Sequence, residues 1–400
     1  MTHREHGHAR GSAAYRRLLA ALLCAGVATF AQLYSPQGVL PQIAADLGTS
    51  ADRAALTVSA ATLGLALAVV PWSFVGDRFG RLPSMVVAVI SATVLGLVSA
   101  WAPTFEAVLA LRLLEGVALG GVPALAMAYL NEEVDARAAS IAAGWFVGGT
   151  TIGGLLGRVV ATPVADVTSW RVGMTTVSVM AALAAVAFVV LAPRERRFVA
   201  VRGGGVLAQT GRVLINLRDR PLVGIYLSAF LLMGGFVAVY NYLGFRLMEP
   251  PYLLPGWAIG LIFLAYLAGT VSAPRAGELA ARHGRYVVLV TSVLVMVAGL
   301  LLTLTEPLWL VLLGLLVLTA GFFAAHSVAS GWAGARAVTA RGQSTGLYNL
   351  AYYGGSSVLG WAGGLAFESV GWAGVVAFVA AAAVAALVAQ HVLVREESSR

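Results

Sequence analysis

Two charged residues in this chain sit where charge is costly. Arg112 and Glu115 lie in the run Leu109-Ala110-Leu111-Arg112-Leu113-Leu114-Glu115-Gly116, which is otherwise apolar. Three positions apart, they share one face of a helix. Burying either alone would be expensive, so they pair or face a wet cavity. The chemistry open to them is proton exchange at the carboxylate, governed by the neighbouring guanidinium. The plainer alternative is a structural ion pair that pins the helix. A second charged group is the turn Ser73-Phe-Val-Gly-Asp-Arg-Phe-Gly-Arg81, which places Asp77, Arg78 and Arg81 between two apolar segments. A near copy, Gly277 to Arg285, follows 204 positions later and sets Ala281 opposite Asp77. A duplicated charged turn marks two homologous halves.

The elements that position these residues must live in lipid. Apolar residues make up 59% of the chain and charged residues 11%, with a mean hydropathy of +0.85. An average soluble domain is roughly 45–50% apolar and about 25% charged. The net charge of +8 comes wholly from arginine, and lysine is absent. That basicity does not indicate nucleic-acid binding, because the arginines follow membrane topology instead. Cys24 is the single cysteine, so no intrachain disulfide forms. Tyr15 to Ala31 has the look of a signal peptide, but its apolar run continues to Leu40 and many further spans follow.

Twelve stretches are long enough to cross a bilayer, which takes about 20 helical residues. They are 18–40, 54–75, 83–101, 105–130, 138–162 and 171–192, then 221–247, 256–275, 286–305, 308–333, 343–366 and 371–394. The expected fold is therefore an all-α integral membrane protein of twelve transmembrane helices in two pseudo-symmetric six-helix bundles. The domains are 1–193 and 221–400, joined by a cytoplasmic linker over 194–220. Within the linker, Val206, Leu207, Val213, Leu214 and Leu217, with Arg212 and Arg218 between them, fit a short amphipathic helix on the inner leaflet. Ser169-Trp170 and Gly371-Trp372 open the sixth and twelfth spans 202 positions apart, in keeping with the duplication. Of the 26 arginines, 21 fall on the side of the termini and three on the other. Both termini are thereby expected in the cytoplasm.

With the duplicated turn, the span count and the basic linker in view, the chain resembles the major facilitator superfamily of transporters. Within it, the chain is similar to the bacterial twelve-helix drug:proton antiporters. Asp77, Arg78, Gly80 and Arg81 match the superfamily's turn G-x-L-a-D-R-x-G-R, with Ser73 in place of the first glycine. The resemblance implies that Asp77 faces the start of the eleventh helix, where a helix dipole stabilises a carboxylate, as a cytoplasmic latch. Arg282, Gly284 and Arg285 carry the second copy, weakened because Ala281 replaces the acid. Arg112 to Gly120 is similar to the fourth-helix motif R-x-x-Q-G-x-G of proton-coupled members, with Glu115 replacing Gln. The runs Gln32 to Pro41, Met127 to Glu133 and Gly153 to Arg158 resemble the YnfM-like subgroup.

Other residues serve the expected path. Gly149, Gly153 and Gly157, with Gly144, Gly148 and Gly154 nearby, give the fifth span a face for close helix packing. Arg158, near the outer end of that span, attracts an anionic solute or anchors at the interface. Gln32, Tyr34 and Gln37 flank Pro36 and Pro41, which should bend the first helix. Tyr240 and Asn241 in the seventh span, and Tyr348, Asn349 and Tyr352 in the eleventh, offer stacking and hydrogen bonds to amphipathic solutes. An interfacial aromatic belt is the rival reading for these. His326 reads as a packing residue rather than a proton carrier.

The sequence holds no metal-ligand cluster, phosphate loop or nucleophile set, so neither an enzyme nor a cofactor is expected. The expected activity is proton-coupled export of a small organic or drug-like solute by a monomer in the bacterial cytoplasmic membrane. Movement of a polar metabolite such as a sugar or organic anion, in either direction, is the alternative. No acid lies in the middle of the first span. Asp46, Glu249, Glu306 and Glu368 fall near span ends, which leaves Glu115 as the coupling carboxylate.

Overall fold

A computed structural model describes residues 7–8, 10–135, 139–200, 215–337 and 341–394. Among them it contains α-helices, short 3-10 turns and no β-strand. Ten helical segments are long and apolar enough to cross a membrane. Two more long helices, of 29 and 30 residues, complete the twelve. The fold is all-α and transmembrane, as the hydropathy requires.

The chain divides into two compact units, one of residues 1–39 and 60–203, the other of residues 40–59 and 204–400. The first opens with α1 (Ala13–Leu33), whose start is capped by the Ser12 hydroxyl accepting from the Tyr15 N–H. At Ser35–Gly38 the chain tightens into a 3-10 turn with Pro36 near its start. The bend expected from the prolines is thus a full break. Beyond it, α2 (Leu40–Asp46) belongs to the second unit.

Helix α3 (Ala51–Phe79) is continuous but divides between the units at residues 59 and 60. Next come α4 (Arg81–Ala100) and α5 (Phe105–Leu119), the latter capped by Thr104. The fourth span continues past Gly120 as α6 (Gly121–Glu133). The first unit ends with α7 (Ala139–Val167) and α8 (Trp170–Leu191), whose cap is Ser169.

In the second unit, α9 (Arg220–Met248) starts with an Asp219 cap and Pro221 in its first turn. The eighth span is α10 (Gly256–Ile262), a 3-10 turn over Phe263–Tyr266, and α11 (Leu267–His283). Helices α12 (Arg285–Leu302), α13 (Leu308–Arg336), α14 (Arg341–Val370) and α15 (Trp372–Leu393) follow.

The repeat seen in the sequence is present in the backbone. Gly80 and Gly284, 204 positions apart, have φ of 104° and 86° and each precedes the next helix. Only glycine takes that conformation without strain. Most of the expected amphipathic linker helix, residues 201–214, lies outside the described residues.

Packing in the first unit rests on the glycine face of α7. A Cβ on Gly149, Gly153 or Gly157 would strike the carbonyl oxygen of Leu23, Val27 or Ala31 respectively. Backbone therefore lies on backbone along two turns of α1. In the second unit, Gly355 of α14 meets Phe230 of α9 in the same way. Leu67, Leu183 and Trp309 are more than half exposed, as side chains facing lipid tails would be.

Candidate functional site

Arg112 and Glu115 are buried within the first unit, 0% and 1% exposed. The guanidinium Nη1 donates to Glu115 Oε2 at 2.8 Å and to the Gln32 carbonyl at 3.1 Å. Nη2 donates to the Leu33 carbonyl at 2.7 Å. These carbonyls belong to the last turn of α1, just before the break, and that of Gln32 also accepts the Ser35 hydroxyl at 3.0 Å. A cation at the negative end of a helix is also favoured by the helix dipole. Arg112 therefore joins the coupling candidate to the broken first helix.

The other face of Glu115 is unusual. Its Oε1 and the Oε1 of Gln32 are both buried and lack a direct hydrogen bond of good geometry among the described residues, while the Ser99 hydroxyl lies within reach of the Glu115 carboxyl. Both point at Gly96 of α4. An added Cβ there would lie 2.7 Å from Gln32 Oε1, 3.0 Å from Glu115 Oε1 and 3.1 Å from Ser178 Oγ. Gln32 uses its amide nitrogen on the Ala28 carbonyl at 2.9 Å. Two buried acceptors thus converge beside the Ser178 hydroxyl. Sequence reasoning missed Gly96 and Ser178, since a lone small residue in an apolar span carries no signal.

Arg158 of α7 grips the same break from beyond the end of α1. It is 2% exposed, donates from Nε to Gln37 Oε1 at 2.6 Å, and sits 4.4 Å from the Tyr34 ring centroid. Nη1 turns back to the Gly154 carbonyl. Gln32, Tyr34 and Gln37, all expected near the path, are gathered at this break. None is an exposed interfacial anchor, and neither is Arg158.

The first charged turn is a small network. Asp77 pairs with Arg81, and Arg81 Nη2 reaches Glu132 Oε1 at 3.2 Å. Arg78 stacks over Phe79, with its guanidinium carbon 5.4 Å from the ring centroid. Glu195, from the chain after α8, accepts the Leu82 N–H at 2.7 Å and so caps α4. Burial pushes this carboxyl above its ordinary range, and Glu132 and Glu133 nearby push it the same way. The second turn differs. Arg282 and Arg285 are exposed and form no ion pair among the described residues. Residues 338–340, just before α14, are outside the described set.

In the second unit, Tyr240, Asn241 and Tyr348 are each at most 1% exposed and tie helices together. Tyr240 shares a hydrogen bond with Thr319 at 2.7 Å, and Asn241 donates to the Gly360 carbonyl at 3.1 Å. The Tyr348 hydroxyl meets His326 Nδ1 at 2.9 Å, which makes His326 the bonded packing residue expected. Asn349 and Tyr352 remain half-buried. The Tyr352 ring lies 4.7 Å from that of His326, beside a cavity also lined by Leu232 and Phe322. The sequence did not single out the stacked pair Phe236–Phe322, 4.0 Å apart, or Tyr266 beside Tyr240.

Residues 22–252 match the family model described as Major Facilitator Superfamily, more than half of the chain. The chain belongs to the major facilitator superfamily. It is 39% identical to the inner membrane transport protein YnfM of Escherichia coli, over 94% of this chain and 90% of that one. It is 36% identical to the uncharacterized MFS-type transporter YybF of Bacillus subtilis, over 92% and 91%. A crystal structure of the nucleoside transporter NupG shares the fold, with a TM-score of 0.78 and 15% identity, covering 94% of this chain and all of that one. The protein is accordingly a multi-pass membrane transporter of this superfamily and not an enzyme. Its YnfM-like character, read from three short runs of sequence, extends over most of the chain.

Proposed function

We propose that the protein is a proton-coupled secondary transporter that exports a small organic or drug-like solute by alternating access. Glu115 is its proton carrier and Arg112 its gate. One observation carries this reading: two buried acceptors, Glu115 Oε1 and Gln32 Oε1, converge beside Gly96. A proton on Glu115 relieves the crowding of two acceptors at this point. Because Arg112 also binds the end of α1, a shift of the first helix changes how strongly Glu115 is held as a carboxylate. Proton and helix position are linked through one side chain.

The aromatic groups of the second unit support this solute class. Tyr266, Phe323, His326 and Tyr352 are half-buried aromatic groups joined to the buried Phe236–Phe322 stack. Such rings favour planar, amphipathic solutes. Asp77, Arg78, Gly80 and Arg81 act as the cytoplasmic latch, with Arg282, Gly284 and Arg285 as a weaker copy. Both termini face the cytoplasm, and the monomer works in the bacterial inner membrane.

A second reading rests on Arg158. A buried guanidinium between Gln37 and Tyr34 suits an organic anion or another polar metabolite, moved in either direction. The two readings separate in inverted membrane vesicles with an acidic interior. Export by exchange predicts that a lipophilic aromatic cation accumulates and that its addition dissipates the proton gradient. Transport of organic anions alone, or transport indifferent to uncouplers at every gradient, contradicts the first reading.

A further inference from the structure

A groove in the first unit has a copy in the second. The first runs between α3 and α4, from Leu67 and Pro71 to Phe79 and Val87. The other runs between α11 and α12, over a floor on α13 that includes Gly321. Each of the ten residues lining the first has its counterpart, 204 positions on, in the lining of the second. Their volumes are about 550 and 790 Å³, within the roughly 300–1,000 Å³ of ligand sites. Their rims are apolar and half exposed or more, at Leu67 and Val87 in one and Val271 and Val287 in the other.

The copies differ in chemistry. Arg275 stands where the first groove has Pro71, and His283 where it has Phe79. Trp72 fills part of the first groove and donates to the Val117 carbonyl at 2.8 Å. Ala276 in its place leaves the second groove wider. Ser272 replaces Ala68, and its buried hydroxyl has no hydrogen-bond partner among the described residues. The first turn neutralises its own arginine, since Asp77 and Glu132 both pair with Arg81. Arg275 is exposed and forms no ion pair among the described residues, not even with Glu278 one turn on. It lies eight residues before the end of α11, about 12 Å along the helix. A guanidinium that far inside a span, on an exposed side, is costly unless something polar reaches it.

We propose that the second groove holds an anionic phospholipid, with its phosphate on Arg275 and an acyl chain along Val271, Leu279 and Val287. The long stem of Arg275 lies on the groove while its charged head reaches toward the headgroups. Guanidinium and phosphate then pair through two parallel hydrogen bonds, a contact that fixes orientation as well as charge. Ser272, one turn deeper, offers its hydroxyl to an ester oxygen, and His283 stands at the mouth. The first groove, with no cation in its lining, has no means of choosing between headgroups. The inference needs only that the chain spans a membrane. It rests on neither the solute nor the coupling proposed above.

Native mass spectrometry of the purified full chain tests this, with phosphatidylglycerol and phosphatidylcholine of identical acyl chains as probes. The parent should retain the anionic lipid over the zwitterionic one by about fivefold, the scale of one arginine beside an anionic lipid. Arg275→Gln should abolish that preference. Arg285→Gln removes an exposed arginine outside the groove and should leave the preference intact. Ala276→Trp, which copies Trp72, should lower retention of both lipids, and it serves as the test if Arg275→Gln does not fold. Equal retention of the two lipids by the parent would overturn the site. So would a preference kept by folded Arg275→Gln, or unchanged retention in folded Ala276→Trp. An equal loss from Arg285→Gln would overturn it too, by showing a diffuse basic surface.

Discussion

Arg112 donates to the backbone carbonyl of Leu33 at 2.7 Å, tying the fourth span to the open end of α1. The same guanidinium holds Glu115, so removing it strips a buried carboxylate and the Leu33 carbonyl of a donor at once. Breaking a buried pair from one side costs about 3–5 kcal/mol, because the remaining charge is left uncompensated. Arg112→Ala should therefore lower the melting temperature in detergent markedly. Adding Glu115→Ala to it should recover part of the loss. If the double variant is the less stable by the full sum of the single changes, the two residues do not form one unit.

The glycine face of α7 makes a prediction with an internal control. Gly153→Ala sets a methyl group against the Val27 carbonyl and should cost about 1–3 kcal/mol. Gly148→Ala, five residues away on the same helix, meets nothing within 4 Å and should be neutral or slightly stabilising. Equal melting temperatures for the two variants would contradict the packing described.

The close packing was legible because glycines at fourfold spacing have a direct geometric consequence. The charged turn was legible for a similar reason, since its copy sits 204 positions away with the same glycine. The convergence on Gly96 was not, because three separate spans supply its oxygens and no spacing along the chain encodes that meeting. Glu368 was visible only as an acid near a span end. Its partner is the Ala51 N–H, a backbone group with no sequence signature. Tyr240, Asn241 and Tyr348 were read as polar groups facing the path, whereas each is buried and bonded between helices. Composition can propose a polar aromatic group but cannot say which side of its helix it takes.

The Glu195 cap makes stability depend on pH. Its carboxyl titrates above the ordinary value in the folded protein, because burial disfavours the charged form. The stabilisation it contributes is thus present on the acid side and is lost as pH rises through the folded value. Glu195→Gln keeps an acceptor for the Leu82 N–H and removes the titration. The variant should melt above the parent at neutral pH and converge with it at acidic pH. A gap that widens on acidification would reverse the assignment.

The first latch is tested by Asp77→Asn. The variant should insert normally yet transport at a small fraction of the parent rate, because Arg81 loses one of its two acidic partners and the turn loses the charge proposed to face a helix start. Ala281→Asp, which supplies the acid the second turn lacks, should shift thiol accessibility between the two membrane faces. Normal transport by Asp77→Asn at equal membrane abundance would remove the latch role.

The most direct test of the account is Glu115→Gln in reconstituted vesicles, with uphill transport and substrate exchange measured side by side. The amide keeps the size of the side chain and matches the residue usual in the family motif, but it cannot release a proton. Proton-driven accumulation should fall at least tenfold, while exchange at equal substrate concentrations persists. Uphill transport at the parent rate would show that the carboxylate is structural and that the coupling site lies elsewhere.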